Sequence, residues 1–218
     1  GPFSPRYNIA PSMPVLVVHA MTRKRQATHA RWGLIPSWAK DPNDVSMMIN
    51  ARAETVCDKP SFRAAIRHRR CIVPASAFYE WGAVKGQKNK QPYAVAAPEN
   101  ALFGFAAIGE TYVSKDGSEV DTLAILTGPA KGAIADIHHR APLVVPKEFM
   151  ADWLDCRNVR AEDALAEIRK TAPDYWQPNP VSTRVNRVAE NDEGLLEAVE
   201  PEVHSAQSGY EAPQLSLF

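Results

Sequence analysis

The chain has 218 residues, 45% of them hydrophobic, and 25 basic side chains balance 25 acidic ones for a formal net charge of zero. That length buries a sizeable core as one globular domain. A neutral balance excludes a global field drawing the molecule onto nucleic acid or anionic lipid, so any such binding needs a local cluster. No apolar run approaches the roughly 18 residues of a membrane span, and the charged-then-apolar layout of a signal peptide is missing. Cys57, Cys71 and Cys156 are odd in number and widely spaced, which argues against a disulfide framework or structural zinc and fits a reducing cytoplasm.

Gly1-Pro2 carries no initiator Met, so the natural protein is expected to begin further upstream. Val15 to His19 is β-branched and reads as a strand. The run Arg23-Lys24-Arg25 is basic. Residues Trp32 to Lys40 place Trp32, Trp38, Pro36 and Lys40 in an expected loop, where exposed aromatics beside cations suit the stacking of unpaired bases, or else simply core. Asn50 precedes Arg52 by two residues, so an extended backbone turns both side chains to one face, where an amide and a guanidinium can meet one ligand, including a phosphate. The competing reading pairs Arg52 with Glu54 and leaves Asn50 to a turn.

Pro60 opens a segment with Phe62, Ala65 and Ile66 at helical spacing, predicting a helix from about Pro60 to Arg69. The basic cluster Arg67-His68-Arg69-Arg70 at its end reads as solvated charge. Cys71 to Val73 follows as a strand. Glu80 lies between Tyr79 and Trp81, where a desolvated carboxyl has a raised pKa and becomes a usable general acid; alternation also allows Glu80 to face outward. Gly86-Gln87-Lys88-Asn89-Lys90 has turn composition, with Lys85, Lys88 and Lys90 a further basic cluster. Tyr93 to Ala97, Leu102 to Ile108, Thr122 to Thr127 and Pro142 to Val145 complete the strands.

Pro129 to Ala135 is expected as a short helix leading to His138 and His139. In an extended segment these neighbours face opposite ways, so only one enters a given site. No His-x-x-x-His spacing accompanies them, so neither metal nor cofactor is expected. There is no glycine-rich phosphate loop and no Gly-x-Ser-x-Gly. Pro146 opens a helical segment with Phe149, Met150, Trp153 and Leu154 on one face, and Ala161, Leu165 and Ile168 repeat the pattern. The fold class is therefore α+β, a mostly antiparallel curved or barrel-like sheet with a few marginal helices. From about residue 200 a polar tail follows, ending in Gln214-Leu215-Ser216-Leu217-Phe218, an apolar terminus suited to docking.

Five motifs in order, Arg6-Tyr7-Asn8-Ile9-Ala10-Pro11, Trp32-Gly33-Leu34-Ile35-Pro36-Ser37-Trp38, Ile49-Asn50-Ala51-Arg52-Ala53-Glu54-Thr55, Phe78-Tyr79-Glu80-Trp81 and His138-His139-Arg140-Ala141-Pro142, resemble the SOS response-associated peptidase (SRAP) family of abasic-site-processing proteins. The resemblance runs to about Val199, making 1–199 an SRAP-like domain and 200–218 a flexible tail, and Val181 to Asn186 looks like the family's closing strand. It implies a sensor of abasic sites in single-stranded DNA, cytoplasmic and associated with the nucleoid and replication. In that family an amino-terminal cysteine, exposed by autoproteolysis, traps the ring-opened sugar as a thiazolidine crosslink.

The resemblance assigns Asn50 to positioning that nucleophile, Glu80 to acid/base work, and His138 to proton transfer and leader cleavage. Arg52 and Arg140 resemble phosphate-holding residues, Trp38 and Pro11 resemble a wedge at flanking bases, and Thr127 lies where the family meets the lesion. The family's Cys-Gly-Arg start is not in this sequence, so the chain as written is expected to lack crosslinking. The last five residues, Gln214, Leu215, Ser216, Leu217 and Phe218, resemble the pentapeptide that binds the bacterial sliding clamp. Two further readings stay open: a non-catalytic single-stranded DNA or clamp-binding module, and a peptidase acting in trans.

Overall fold

The computed structural model describes residues 4–22, 24–84, 86 and 88–200. Its strands are β1 (Pro14–His19), β2 (Gln26–Trp32), β3 (Asn50–Arg52), β4 (Arg70–Ala75), β5 (Ala77–Gly82), β6 (Gln91–Ala96), β7 (Phe103–Val113), β8 (Glu119–Pro129), β9 (Arg140–Pro142) and β10 (Gln177–Pro180). The helices are α1 (Arg63–His68), α2 (Met150–Leu154) and α3 (Ala161–Lys170). The larger sheet runs β2-β1-β4-β7-β8, and a parallel contact of β2 with β8 closes it into a five-stranded barrel. Strands β10, β6 and β5 form a second, antiparallel sheet. The expected α+β class with a barrel-like sheet is what the chain adopts.

Strands β4, β7 and β8 are buried on both faces, which is why their text is continuously apolar. Val73, Phe105, Ala107, Leu123 and Ile125 point to the barrel interior and the second sheet, where Phe78, Phe103, Phe105 and Trp176 meet edge to face. The alternate residues Ile72, Ala106, Ile108, Ala124 and Leu126 pack outward against Trp153, Leu154, Leu165 and Ile168 of α2 and α3. Trp153 is fully buried and its indole N–H donates to the Cys71 carbonyl at 2.8 Å.

Strand β8 brings β2, β3, β7 and β9 together. One of its edges pairs β7 and then, past Ile125, β9. The other edge pairs β2 at Thr122 and Leu123, then β3 from Ile125 to Thr127. Thr127 therefore stands between Arg52 of β3 and Pro142 of β9.

Several expectations are corrected. Trp32 ends β2 rather than starting a loop, although Trp38 does lie in one. Leu102 precedes β7 and is exposed, and β9 begins at Arg140, with Val144 contributing only a bridge to Phe105. The helix expected from Pro60 is helical only from Arg63. Residues Val181 to Asn186 are not a strand. Ser182 accepts the Arg184 N–H and starts a 3-10 turn over Thr183–Asn186, and the closing strand is Gln177–Pro180, whose prolines suit an edge position. Arg70 is buried rather than solvated, and its guanidinium donates to the carbonyls of Ile66, Trp153, Asp155 and Val159.

Candidate functional site

Asn50 and Arg52 flank buried Ala51 on β3, so both side chains do project away from the core on one face. The strand is fastened by the Ile125 N–H donating to the Ile49 carbonyl, which also accepts the Trp32 indole N–H at 2.9 Å. The Arg52–Glu54 pairing does not form. Glu54 instead takes Arg140 in a fork, Nη1 to Oε1 at 3.1 Å and Nη2 to Oε2 at 2.9 Å. Arg140 further donates from Nε to Thr127 Oγ1 at 3.2 Å and from Nη2 to the Thr127 carbonyl at 2.7 Å. Thr127 is fully buried, so this arginine ties β3, β8 and β9 into one unit. The hydrogen bond from Arg140 holds the Glu54 carboxyl below its usual range.

His138 follows a 3-10 turn over Gly132–Asp136 instead of an extended segment. Its neighbour therefore does not face the opposite way: the two imidazole rings lie 4.3 Å apart, His139 exposed and His138 half-buried. His138 Nδ1 sits 3.1 Å from both the N–H and the carbonyl oxygen of Arg140. A neutral ring accepts from that N–H, and a protonated ring donates to that carbonyl. The ring thus keeps a partner in either charge state, as a proton shuttle requires. Burial pushes its pKa down.

Glu80 faces inward and is only 3% exposed, while Tyr79 and Trp81 pack on the other face of the small sheet with Ala94, Val181 and Val185. Burial drives its pKa up to about 7, against one opposing hydrogen bond from the Trp81 N–H to Oε1. Oε2 is buried with no hydrogen-bond partner in the structure. A buried carboxyl oxygen left unpaired is costly, and carboxyls with pKa values perturbed in this way cluster at functional sites. Gly82, on the same face as Glu80, lies so close to Ile137 that a Cβ there would meet its Cγ2 at 3.0 Å, which sets β5 against the His138 turn. The Lys90 ammonium acts on Glu80 and His138 alike, lowering both pKa values.

The amino-terminal segment is tied to Tyr79 and to the stretch 185–191. Tyr79 donates its hydroxyl to the Tyr7 carbonyl at 2.8 Å, the Tyr7 N–H donates to Asn191, and buried Asn8 donates to the carbonyls of Val185 and Arg187. Pro11 is half-buried in a turn whose next residue, Ser12, donates its N–H to the Trp32 carbonyl at 2.7 Å. Trp38 stands 56% exposed in its loop, with no hydrogen bond tying it to the other site residues. The pentapeptide Gln214 to Phe218, expected from the sequence to dock, lies outside the described residues. Among the described residues no three His, Cys, Asp or Glu gather to hold a metal ion, and no helix is long and apolar enough to cross a membrane.

The family model described as SOS response associated peptidase (SRAP) matches residues 1–188. The chain belongs to this family. Its curated relatives include the abasic site processing protein YoaM of Bacillus subtilis, 35% identical over 198 residues that cover 91% of this chain and 87% of the relative. YobE of Bacillus subtilis, with the same description, is 37% identical over 81% of this chain and 75% of its own. The abasic site processing protein HMCES of Pongo abelii is 30% identical over 91% of this chain and 66% of its own.

Two solved structures share the fold. A protein of Bacteroides thetaiotaomicron superposes with a TM-score of 0.74 at 26% identity over 87% of this chain and 82% of its own. A phage-related protein of Bordetella bronchiseptica gives 0.67 at 30% identity over 82% and 83%. In this SRAP chain two residues of the site gain a role that their sequence position did not give them. Glu54 is marked by its motif and its place two residues after Arg52, neither of which points to Arg140, and Lys90 only by its basic neighbours.

Proposed function

We propose that this chain recognises abasic sites in single-stranded DNA and reacts with the sugar aldehyde through acid/base chemistry by Glu80 and His138. The observation that carries the reading is Glu80, a buried carboxyl titrating at about 7 with one oxygen unpaired, set against the His138 turn. Relatives described as abasic site processing proteins support the substrate. An abasic sugar rests mainly as a ring. Opening it moves one proton from the C1′ hydroxyl to a base and another from an acid to the ring oxygen, as the C1′–O4′ bond breaks and the C1′ carbonyl forms. Neutral His138 serves as the base and protonated Glu80 as the acid.

The covalent step asks for an amino-terminal cysteine ahead of Arg6. Cys57, Cys71 and Cys156 are internal and carry no α-amine, and burial raises the pKa of Cys57 and Cys71. With such a residue in place, Asn50 orients its amine. The amine adds to C1′, the carbinolamine loses one water with protons relayed by the same pair, and the thiol adds to the imine carbon as its proton passes to nitrogen. The product is a thiazolidine. His138 would also serve the leader cleavage that exposes the cysteine, and the last five residues would dock on a sliding clamp.

A single-stranded oligonucleotide with one abasic site tests the reading. The chain carrying a Met-Cys-Gly leader is expected to form a heat-stable adduct on denaturing gels, slowed about 100-fold by Glu80→Gln or His138→Ala, the usual scale of general acid/base catalysis. No adduct, or an adduct equally fast in both variants, overturns it.

A further inference from the structure

Arg52 and Arg140 are not equivalent cations. Arg52 is exposed on the outer face of β3, and Glu54 lies two residues on with its carboxylate committed elsewhere. Arg140 has a side chain 13% exposed, and four of its five guanidinium N–H groups are taken by Glu54 and Thr127, which leaves one on Nη1. The hydrogen bond from Arg140, with a smaller contribution from Arg169 on α3, lowers the pKa of the Glu54 carboxyl, so it stays ionised across the neutral range. A guanidinium in a fork with a carboxylate presents little net charge to an approaching phosphate.

We propose that Glu54 is a specificity-determining residue of this site: by pairing with Arg140 it damps the pull of that arginine on the DNA backbone and leaves phosphate attraction mainly to Arg52. The inference rests on the abasic-DNA reading above. Phosphates occur in every strand, damaged or not, so charge contacts raise affinity without telling strands apart. Two unmasked arginines beside Thr127 would hold any single strand. Masking one shifts the balance toward contacts that only a missing base permits. Glu54 also keeps the guanidinium on Thr127, so the backbone N–H and carbonyl of Arg140 that flank His138 stay in place.

Fluorescence anisotropy on the chain as it stands tests this, using one labelled strand intact and the same strand with a single stable abasic analogue, each over a salt series. Glu54→Gln is expected to bind the intact strand several-fold more tightly at low salt. Its plot of log affinity against log salt should steepen by about 0.7, one added phosphate contact on a single strand. Preference for the abasic strand should fall several-fold. Glu54→Asp, which keeps the charge, should retain the parent slope, and Arg52→Gln should flatten it by about 0.7. An unchanged slope in Glu54→Gln, or affinities for both strands that fall together, overturns the inference. A parent chain that shows no abasic preference overturns the functional reading, while a steepened slope in Glu54→Gln still upholds the masking of Arg140.

Discussion

Glu80 and His138 are perturbed in opposite directions by the same cause. Burial disfavours the charged form of each, so close to neutrality a large fraction of the acid still holds its proton while the base lacks one. For Glu80 the fold raises a carboxyl from about 4.5 to about 7. Stability from this group is fully present below about 4.5 and is lost as pH rises through about 7, a loss on the order of 3 kcal/mol at most. Glu80→Gln removes that titration. Thermal unfolding should find the variant gaining on its parent between pH 5 and pH 8, and a difference that is flat with pH would contradict it. The burial of Glu80 was half legible, because flanking aromatics announced a desolvated carboxyl while alternation left its face open. The second sheet decided that by taking Tyr79 and Trp81 onto its far side. For His138 and His139 the assumption of an extended backbone failed, since a 3-10 turn delivers them with their rings together.

Elements buried on both faces were the easiest to read. Strands β4, β7 and β8 carry apolar runs because the barrel interior claims one set of residues and α1 to α3 the other. Strand β2 escaped because Gln26, Ala27, Thr28 and His29 are all exposed and carry no apolar period. Strand β10 escaped because Pro178 and Pro180 read as breakers, yet an edge strand tolerates them. Charge runs also misled at this scale. Arg70 looked like one more basic surface residue, but its guanidinium collects the Ile66 and Trp153 carbonyls at the ends of α1 and α2, which have no helical partner. Arg70→Met should therefore cost about 3 kcal/mol or more, read by urea unfolding, because several buried carbonyls lose their donor at once. A loss below about 1 kcal/mol would show that those carbonyls find water instead.

At the scale of the whole molecule, contacts between distant segments assemble the site. Asn8 reaches Val185 across 177 residues and Tyr7 reaches Asn191 across 184, which brings the amino-terminal segment to the Tyr79 face of β5. Composition and periodicity carry no trace of such pairings. What the sequence offered in their place was a set of motifs in order, whose resemblance grouped Asn50, Glu80, Thr127, His138 and Arg140 before any contact among them was visible. The geometry then separated them, with Arg140 fastened to Glu54 and Thr127, and Glu80 set against the His138 turn. If this pair moves the protons of abasic-site chemistry, as proposed above, the rate of adduct formation follows the charge states of both groups as pH changes. With a Met-Cys-Gly leader in place, the rate should be bell-shaped, falling on the acid side as His138 charges and on the alkaline side through about 7 as Glu80 ionises, with the alkaline limb absent from Glu80→Gln. An alkaline limb that persists unchanged in Glu80→Gln would contradict the account.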